Sequence, residues 1–171
     1  SKANSPDFML HLSHYQVDFQ SGKFNRLKTV FLHDPDKKLP FRITQEGTKQ
    51  RYLTGADLDP ESFQFAGGAL WIGEEFGPFL VKTDATGTVQ SLFRTPNVLH
   101  LGSNDWVQSP SSPLSSGAAN LPGSGGFEGM ALNASGTRLY TMLERSLTTD
   151  PDQKRLLVQE FDLAGEAFTG N

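Results

Sequence analysis

The stretch DPESFQFAGGALWIGEEF (residues 59–76) recurs as GGFEGMALNASGTRLYTMLERS (residues 125–146), and this repeat decides the fold. The two copies continue alike, as LVKTDATG (residues 80–87) and VQEFDLAG (residues 158–165). A third and weaker copy of this last hairpin, YQVDFQSG, occupies residues 15–22. Internal repeats of this kind are typical of propellers and solenoids, in which similar units stack side by side.

Each copy predicts short strands joined by turns. Ala69–Gly73 and Arg138–Leu143 are apolar on both faces along most of their length, as expected for strands packed between neighbouring sheets. Glycine and proline are frequent, at 17 and 10 residues, and no stretch combines helical apolar spacing with a credible cap. The sequence therefore predicts an all-β fold made of β-propeller blades, each an antiparallel four-stranded sheet. A β-sandwich is the alternative.

The length of the chain limits how much of a propeller it can form. Blades take about 40–50 residues and closed propellers usually contain about 4–8 of them. With 171 residues, the chain is expected to be a single partial β-propeller domain over residues 1–171. We expect the missing blades to come from the rest of a longer protein or from another chain. The expected parts are an incomplete blade and connection (8–50), a blade (51–101), a Ser/Pro/Gly-rich loop (102–126) and a second blade (127–171).

Composition argues against several classes of function. The formal charge of −4 and the lack of clustered Lys and Arg argue against a nucleic-acid partner. No apolar run approaches the roughly 20 residues of a membrane-spanning helix. The absence of cysteine excludes disulfides, thiolate metal sites and cysteine nucleophiles. The sequence also contains no G-x-S-x-G motif, phosphate-cradling glycine-rich loop or H-E-x-x-H motif.

Acidic residues recur at matching places in the two copies. The candidates are Asp57, Asp59, Glu61, Glu75, Glu128 and Glu144. Glu128 aligns with Glu61, which lies just ahead of a first strand. The first strand lines the central channel of a propeller, so both acids are expected to face a common axis. Carboxylates without thiols or a histidine cluster suit a hard cation, with calcium the first choice and magnesium the second. The alternative is that each Glu accepts structural hydrogen bonds between blades.

One basic residue stands next to these acids. Arg145 directly follows Glu144, and a guanidinium beside a bound cation could hold a phosphate group. Arg51 and Lys82 lie near the ends of the repeated units and are weaker candidates. Each of these cations could equally be a solvated partner of a surface acid.

The ordered series of motifs resembles the phytase-like family known for the esterase-like activity of phytase. The motifs are LTGADLDPESF (53–63), LWIGEEFGPFLVKTDATG (70–87), GGFEGMALNASGTRLYTMLE (125–144) and LLVQEFDLAG (156–165). The resemblance extends from about Phe8 to Gly165. It implies a propeller-type fold, a bacterial protein exported to the periplasm or cell surface, and a phosphoesterase or phytase-like activity. The family's acidic positions correspond to the six carboxylates named above.

The resulting hypothesis is a calcium-dependent phosphoesterase that acts on a phosphorylated small molecule. Its expected metal ligands are Asp57, Asp59, Glu61 and Glu128. Its expected catalytic residues are Glu75 and Glu144, as base or further ligand, and Arg145, as a phosphate contact. The alternatives are a non-catalytic propeller that binds a partner at the cell surface, and a calcium-dependent lactonase of propeller type.

Overall fold

All regular structure in the described residues is β-sheet. The computed structural model describes residues 5–115 and 117–170. Its strands are β1 (His11–Asp18), β2 (Lys23–Phe31), β3 (Pro60–Ala66), β4 (Ala69–Glu74), β5 (Phe79–Thr83), β6 (Val89–Arg94), β7 (Phe127–Leu132), β8 (Arg138–Leu143), β9 (Val158–Asp162) and β10 (Ala167–Phe168). This part of the chain contains no helix of the length and apolar character needed to cross a bilayer. The all-β prediction is confirmed.

The strands form two four-stranded antiparallel sheets and one hairpin. Strands β3 to β6 form the first sheet in chain order, here called blade 1, and strands β7 to β10 form the second, blade 2. Strands β1 and β2 form a separate two-stranded sheet. The sheets are consistent with propeller-like blades, as predicted, although the described residues do not close a ring.

The two blades lie side by side, with β7 of blade 2 against β3 and β4 of blade 1. The core between them contains Trp71 and Leu80 from blade 1 and Leu139 and Phe161 from blade 2. The Trp71 and Phe161 rings lie 5.3 Å apart, and the Trp71 indole N–H donates to the Ala66 carbonyl. Burying such large aromatic groups contributes strongly to the stability of an interface.

The other face of blade 1 is covered by the segment that joins β2 to β3. Leu70, Ile72, Phe79 and Val81 from blade 1 pack there against a group that includes Leu32, Leu53 and Leu58. Strand β4 is consequently buried along its whole length. This explains the apolar character of both faces of that strand in the sequence.

The same turn closes the outer hairpin of each unit. The Asp84 carboxylate accepts hydrogen bonds from the Thr86 and Thr88 N–H groups between β5 and β6. Asp18 plays the same role between β1 and β2, where it caps the N–H groups of the next residues, and Asp162 does so between β9 and β10. Aspartate favours such turns because its side chain satisfies nearby backbone donors. The hairpin β1–β2 therefore corresponds to β5–β6 and β9–β10.

The Ser/Pro/Gly-rich segment between the blades is a packed loop. Val107 and Leu121 from this segment are buried in a cluster with Phe127 and Leu143 of blade 2. The Gln108 N–H donates to the Asn120 side-chain oxygen at 2.8 Å, which ties the two arms of the loop together. The loop therefore delivers its last residues to the start of β7 in a fixed position.

Candidate metal centre

Glu61 is the extra residue of a β-bulge in the first strand of blade 1. Pro60 pairs with Glu74 and Ser62 pairs with Gly73, so Glu61 has no partner on β4. A bulge leaves one residue out of the ladder and re-aims its side chain, and bulges are enriched beside active sites. Glu61 is exposed to solvent as a result.

Glu128 occupies the equivalent bulge in blade 2. Phe127 pairs with Leu143 and Gly129 pairs with Met142, so Glu128 is also left out of the ladder. Its side chain is exposed, like that of Glu61. The repeat therefore preserves a local backbone irregularity as well as the strand pattern, and it presents an acid at the same place in both blades.

Two further acids are held at the ends of the second strands by the same backbone hydrogen bond. The Glu75 N–H donates to the Asp59 carbonyl at 2.9 Å, and the Glu144 N–H donates to the Gly126 carbonyl at 2.9 Å. Each acceptor lies two residues before the bulged Glu of its own blade. The repeat thus fixes both acids of a blade relative to each other.

Five of the six predicted acids form one cluster. Oxygen atoms of Asp59, Glu61 and Glu75 lie within 4.8 Å of one another, and so do oxygen atoms of Glu75, Glu128 and Glu144. Glu75 belongs to both groups and therefore links the acids of the two blades. We call these five residues the acidic cluster.

A glycine lets the two blades approach closely enough to form the cluster. A Cβ atom on Gly126 would lie 2.4 Å from the Glu75 carbonyl oxygen and 2.6 Å from its Cα. Both are backbone atoms, so no side-chain rotation could relieve the overlap. Sequence analysis did not assign a role to Gly126, and the repeat gives no signal for it, because the equivalent residue in blade 1 is Asp59.

Burial and mutual repulsion disfavour ionisation within the cluster. The pKa of Glu61 is raised above its usual value, first by partial desolvation of its exposed side chain and then by the charges of Asp59, Glu75, Glu128 and Glu144. The pKa of Glu75 is raised mainly by burial and further by neighbouring carboxylates, while a hydrogen bond from the Ser124 side chain opposes the shift. A cation would relieve this repulsion.

The donor set of the acidic cluster fits a hard divalent cation. Within residues 5–115 and 117–170, its single ion pair joins Glu144 to Arg145 at 4.0 Å. Oxygens about 2.4 Å from a common calcium ion can lie up to about 4.8 Å apart, so the oxygens of each group, which lie within 4.8 Å of one another, could share one ion.

Asp57 lies apart from the acidic cluster. Its buried carboxylate accepts hydrogen bonds from the N–H and hydroxyl of Thr44, at 2.7 and 2.8 Å. It also accepts from the N–H and hydroxyl of Thr54, at 2.8 and 2.9 Å. The structure therefore uses Asp57 to join the segment before β3 and does not bring it together with Glu61.

Glu74 also turns away from the cluster. Its carboxylate is fully buried and accepts the N–H groups of Phe76, Gly77 and Phe79, so it holds the turn between β4 and β5. Burial raises the pKa of Glu74 to about 8 despite these three donors. Glu74 is the last residue of β4 and Glu75 is the first residue after it, and the turn donors hold the Glu74 carboxylate away from the cluster.

Of the basic candidates, Arg145 alone lies beside the acidic cluster. Its side chain is 57% exposed and contacts Glu144 at the rim. Arg51 is buried in ion pairs with Asp34 and Glu46. Lys82 on β5 pairs with Glu166 in the turn before β10. The last two cations therefore have structural roles.

A groove adjoins the acidic cluster on the side of Arg145. It has a volume of about 310 Å³ and is lined by Pro122, Glu144, Arg145, Ser146, Gln153 and Leu156. Glu144 is the member of the acidic cluster that lines this groove, so a small molecule in the groove would reach its carboxylate.

Comparison with known proteins agrees with the resemblance seen in the sequence. A family model described as "Phytase-like: Esterase-like activity of phytase" matches residues 1–171. Comparisons with curated proteins and with solved structures found no match. Because the family model covers the whole chain, the chain belongs to the phytase-like family, and this membership supports a hydrolase-like phosphoesterase function.

Proposed function

We propose that the acidic cluster is the calcium site of a phosphoesterase that acts on phosphorylated small molecules. The observation that carries the proposal is the convergence of five carboxylates from two successive blades on Glu75. Outside the rim contact with Arg145, these acids have no cationic partner among the described residues. So many like charges in one place are costly without a cation.

The ligands fall into two groups that share one residue. We assign Asp59, Glu61 and Glu75 to the first group and Glu75, Glu128 and Glu144 to the second, on the basis of their oxygen separations. Calcium accepts 6–8 oxygen ligands, so either group leaves room for water or substrate oxygens. Bound calcium would supply positive charge against the phosphate and lower the pKa of a coordinated water.

The residues at the rim have different proposed roles. Glu144 is exposed beside the groove, where its carboxylate can accept a proton from an attacking water. The Arg145 guanidinium, with donors free to turn towards solvent, can bind phosphate oxygens in a bidentate manner. Glu75 is buried and serves better as a shared ligand.

Calorimetric titration of the purified chain with calcium tests the metal site, and hydrolysis of p-nitrophenyl phosphate and phytate tests the activity. Glu61→Gln and Glu128→Gln each keep the shape of the side chain and remove its charge. We expect each to weaken calcium binding about tenfold or more, since each removes a charged ligand. Glu166→Gln is the matched control, because Glu166 pairs with Lys82 away from the cluster. A chain that binds no calcium and hydrolyses neither ester would refute the proposal.

The same variants separate the alternatives. If replacing Glu61 and Glu128 lowers thermal stability without changing any hydrolytic rate, the blades form a non-catalytic binding module. If calcium is bound and lactones are hydrolysed while phosphate esters are not, the site is a lactonase.

A further inference from the structure

Strand β1 has an unpaired edge where the corresponding strands of the blades have a partner. Strand β5 pairs with β4 as well as β6, and β9 pairs with β8 as well as β10. Strand β1, which the shared turn identifies as their counterpart, pairs with β2 alone within the described residues. An unpaired strand of eight residues presents a row of backbone donors and acceptors to any additional strand.

An open groove lies between this edge and blade 1. It has a volume of about 450 Å³ and is lined by residues of β1, such as Leu12 and Ser13, and of β3, such as Glu61 and Phe63. In blades 1 and 2 the corresponding edge is occupied by an inner strand, β4 or β8.

The aromatic residues on this side of β3 lack the cover that their counterparts have. Phe63 and Phe65 are 53% and 64% exposed and contact each other edge to face. The repeat aligns them with Met130 and Leu132 of β7, which are partly buried against the core between the two blades. At the interface between the two blades, the side chains at these two positions of the first strand thus pack against the preceding blade.

We propose that this groove binds a β-hairpin, namely the two inner strands of a further blade. One strand of the hairpin adds to the free edge of β1, as β4 adds to β5. The same hairpin covers Phe63 and Phe65 with apolar side chains, as blade 1 covers Met130 and Leu132. Backbone hydrogen bonds and alternate side-chain pockets are the usual basis of such strand addition.

A second copy of this chain does not fit the groove in this way. The inner strands β4 and β8 are each paired on both edges within their own sheets. Neither could add to β1 of a neighbour without leaving its blade. A hairpin that adds its second strand to β1, as β4 adds to β5, is therefore not the β3–β4 or β7–β8 pair of a second copy, and we assign it to strands outside these two blades.

A tethered hairpin tests the proposal. A second copy of residues 59–78, which contain β3, β4 and the following turn, is fused ahead of residue 5 through a flexible linker of about six residues. Hydrogen exchange of the β1 amides is compared with that of the parent chain. We expect exchange to slow about tenfold or more at the amides of the free edge, together with a higher melting temperature, because new backbone hydrogen bonds protect them.

Paired substitutions identify the docking face. Phe63→Ser with Phe65→Ser in blade 1 should cancel the protection, whereas Phe19→Ser with Phe24→Ser should not. Phe19 and Phe24 are also exposed aromatics, but Phe19 lies in the turn between β1 and β2 and Phe24 lies on β2, so neither belongs to the face of β3. The free peptide of residues 59–78, added in excess to the parent chain, should protect the same amides more weakly than the tethered copy.

Two results would overturn the proposal. One is unchanged β1 exchange with both the tethered hairpin and the free peptide. The other is a parent chain that is dimeric by light scattering, has protected β1 amides and becomes monomeric when Phe63 and Phe65 are replaced. In that case the occupant is a second copy.

Discussion

Replacing Gly126 by alanine should separate the two blades and disrupt the acidic cluster together. The new Cβ would meet the Glu75 carbonyl oxygen at 2.4 Å, its Cα at 2.6 Å and its carbonyl carbon at 2.8 Å. None of these atoms can rotate away. Because the Gly126 carbonyl also accepts the Glu144 N–H, any movement of this backbone displaces Glu144 as well.

The loss in free energy of unfolding caused by the new methyl group can be compared with that of other overpacked positions. Inserting a methyl group into a packed region typically costs about 1–3 kcal/mol. Here the three closest atoms are all backbone, so we expect the upper end, about 3 kcal/mol. For a domain of this size, that corresponds to a fall in melting temperature of about 6–12 °C.

Gly123→Ala is the matched control for this prediction. Gly123 lies in the same loop, and a Cβ atom there would meet nothing within 4 Å. Urea unfolding should show a large loss of stability for Gly126→Ala and almost none for Gly123→Ala, and calorimetry should show weaker calcium binding for the former alone. Equal stability of the two variants would refute the account of the blade contact.

Three further predictions concern pH, the core and a buried acid. In the presence of a chelator, thermal stability should fall as pH rises from about 4.5 towards 8. The folded state raises the pKa of Glu61 and Glu75, and that of Glu74 to about 8, so in this range it holds protons that the unfolded chain releases. Added calcium should restore more stability at pH 8 than at pH 5. Phe161→Ala should cost about 3–5 kcal/mol in urea unfolding, whereas Phe19→Ala, at a position 93% exposed, should have little effect. Asp57→Asn should lower the melting temperature but leave calcium affinity unchanged in calorimetry.

The repeat made most of the fold predictable. Local pattern was sufficient for the second strands, because burial between sheets requires apolar residues on both faces. The prediction of Arg138–Leu143 matches β8, and that of Ala69–Gly73 falls one residue short of β4. The short β10, of two residues, has no such pattern and depends on its pairing with β9.

The site was less predictable from the sequence, because acids that are neighbours in the chain have different surroundings in the structure. Asp57 and Asp59 both precede β3, and Asp57 is set apart by its contacts with Thr54 nearby and with the distant Thr44. The contact with Thr44 depends on how the connecting segment folds back, which the sequence pattern does not encode. The repeat did contain a signal for Glu74, because it aligns this residue with the apolar Leu143. Leu143 is fully buried in the structure, and so is Glu74.

The shared position of Glu75 couples the metal centre to the packing of the blades. Blade 1 alone supplies Asp59, Glu61 and Glu75, and the second group exists because Gly126 allows β7 to reach Glu75. Apolar burial around Trp71 and Phe161 must hold the blades together against the repulsion of these carboxylates. A cation that binds the folded state alone adds RT ln(1 + [L]/Kd), about 2.7 kcal/mol at a hundredfold excess over Kd. Under the proposed function, that gain is realised at the contact between the blades, so calcium should stabilise their interface more than the interior of either sheet.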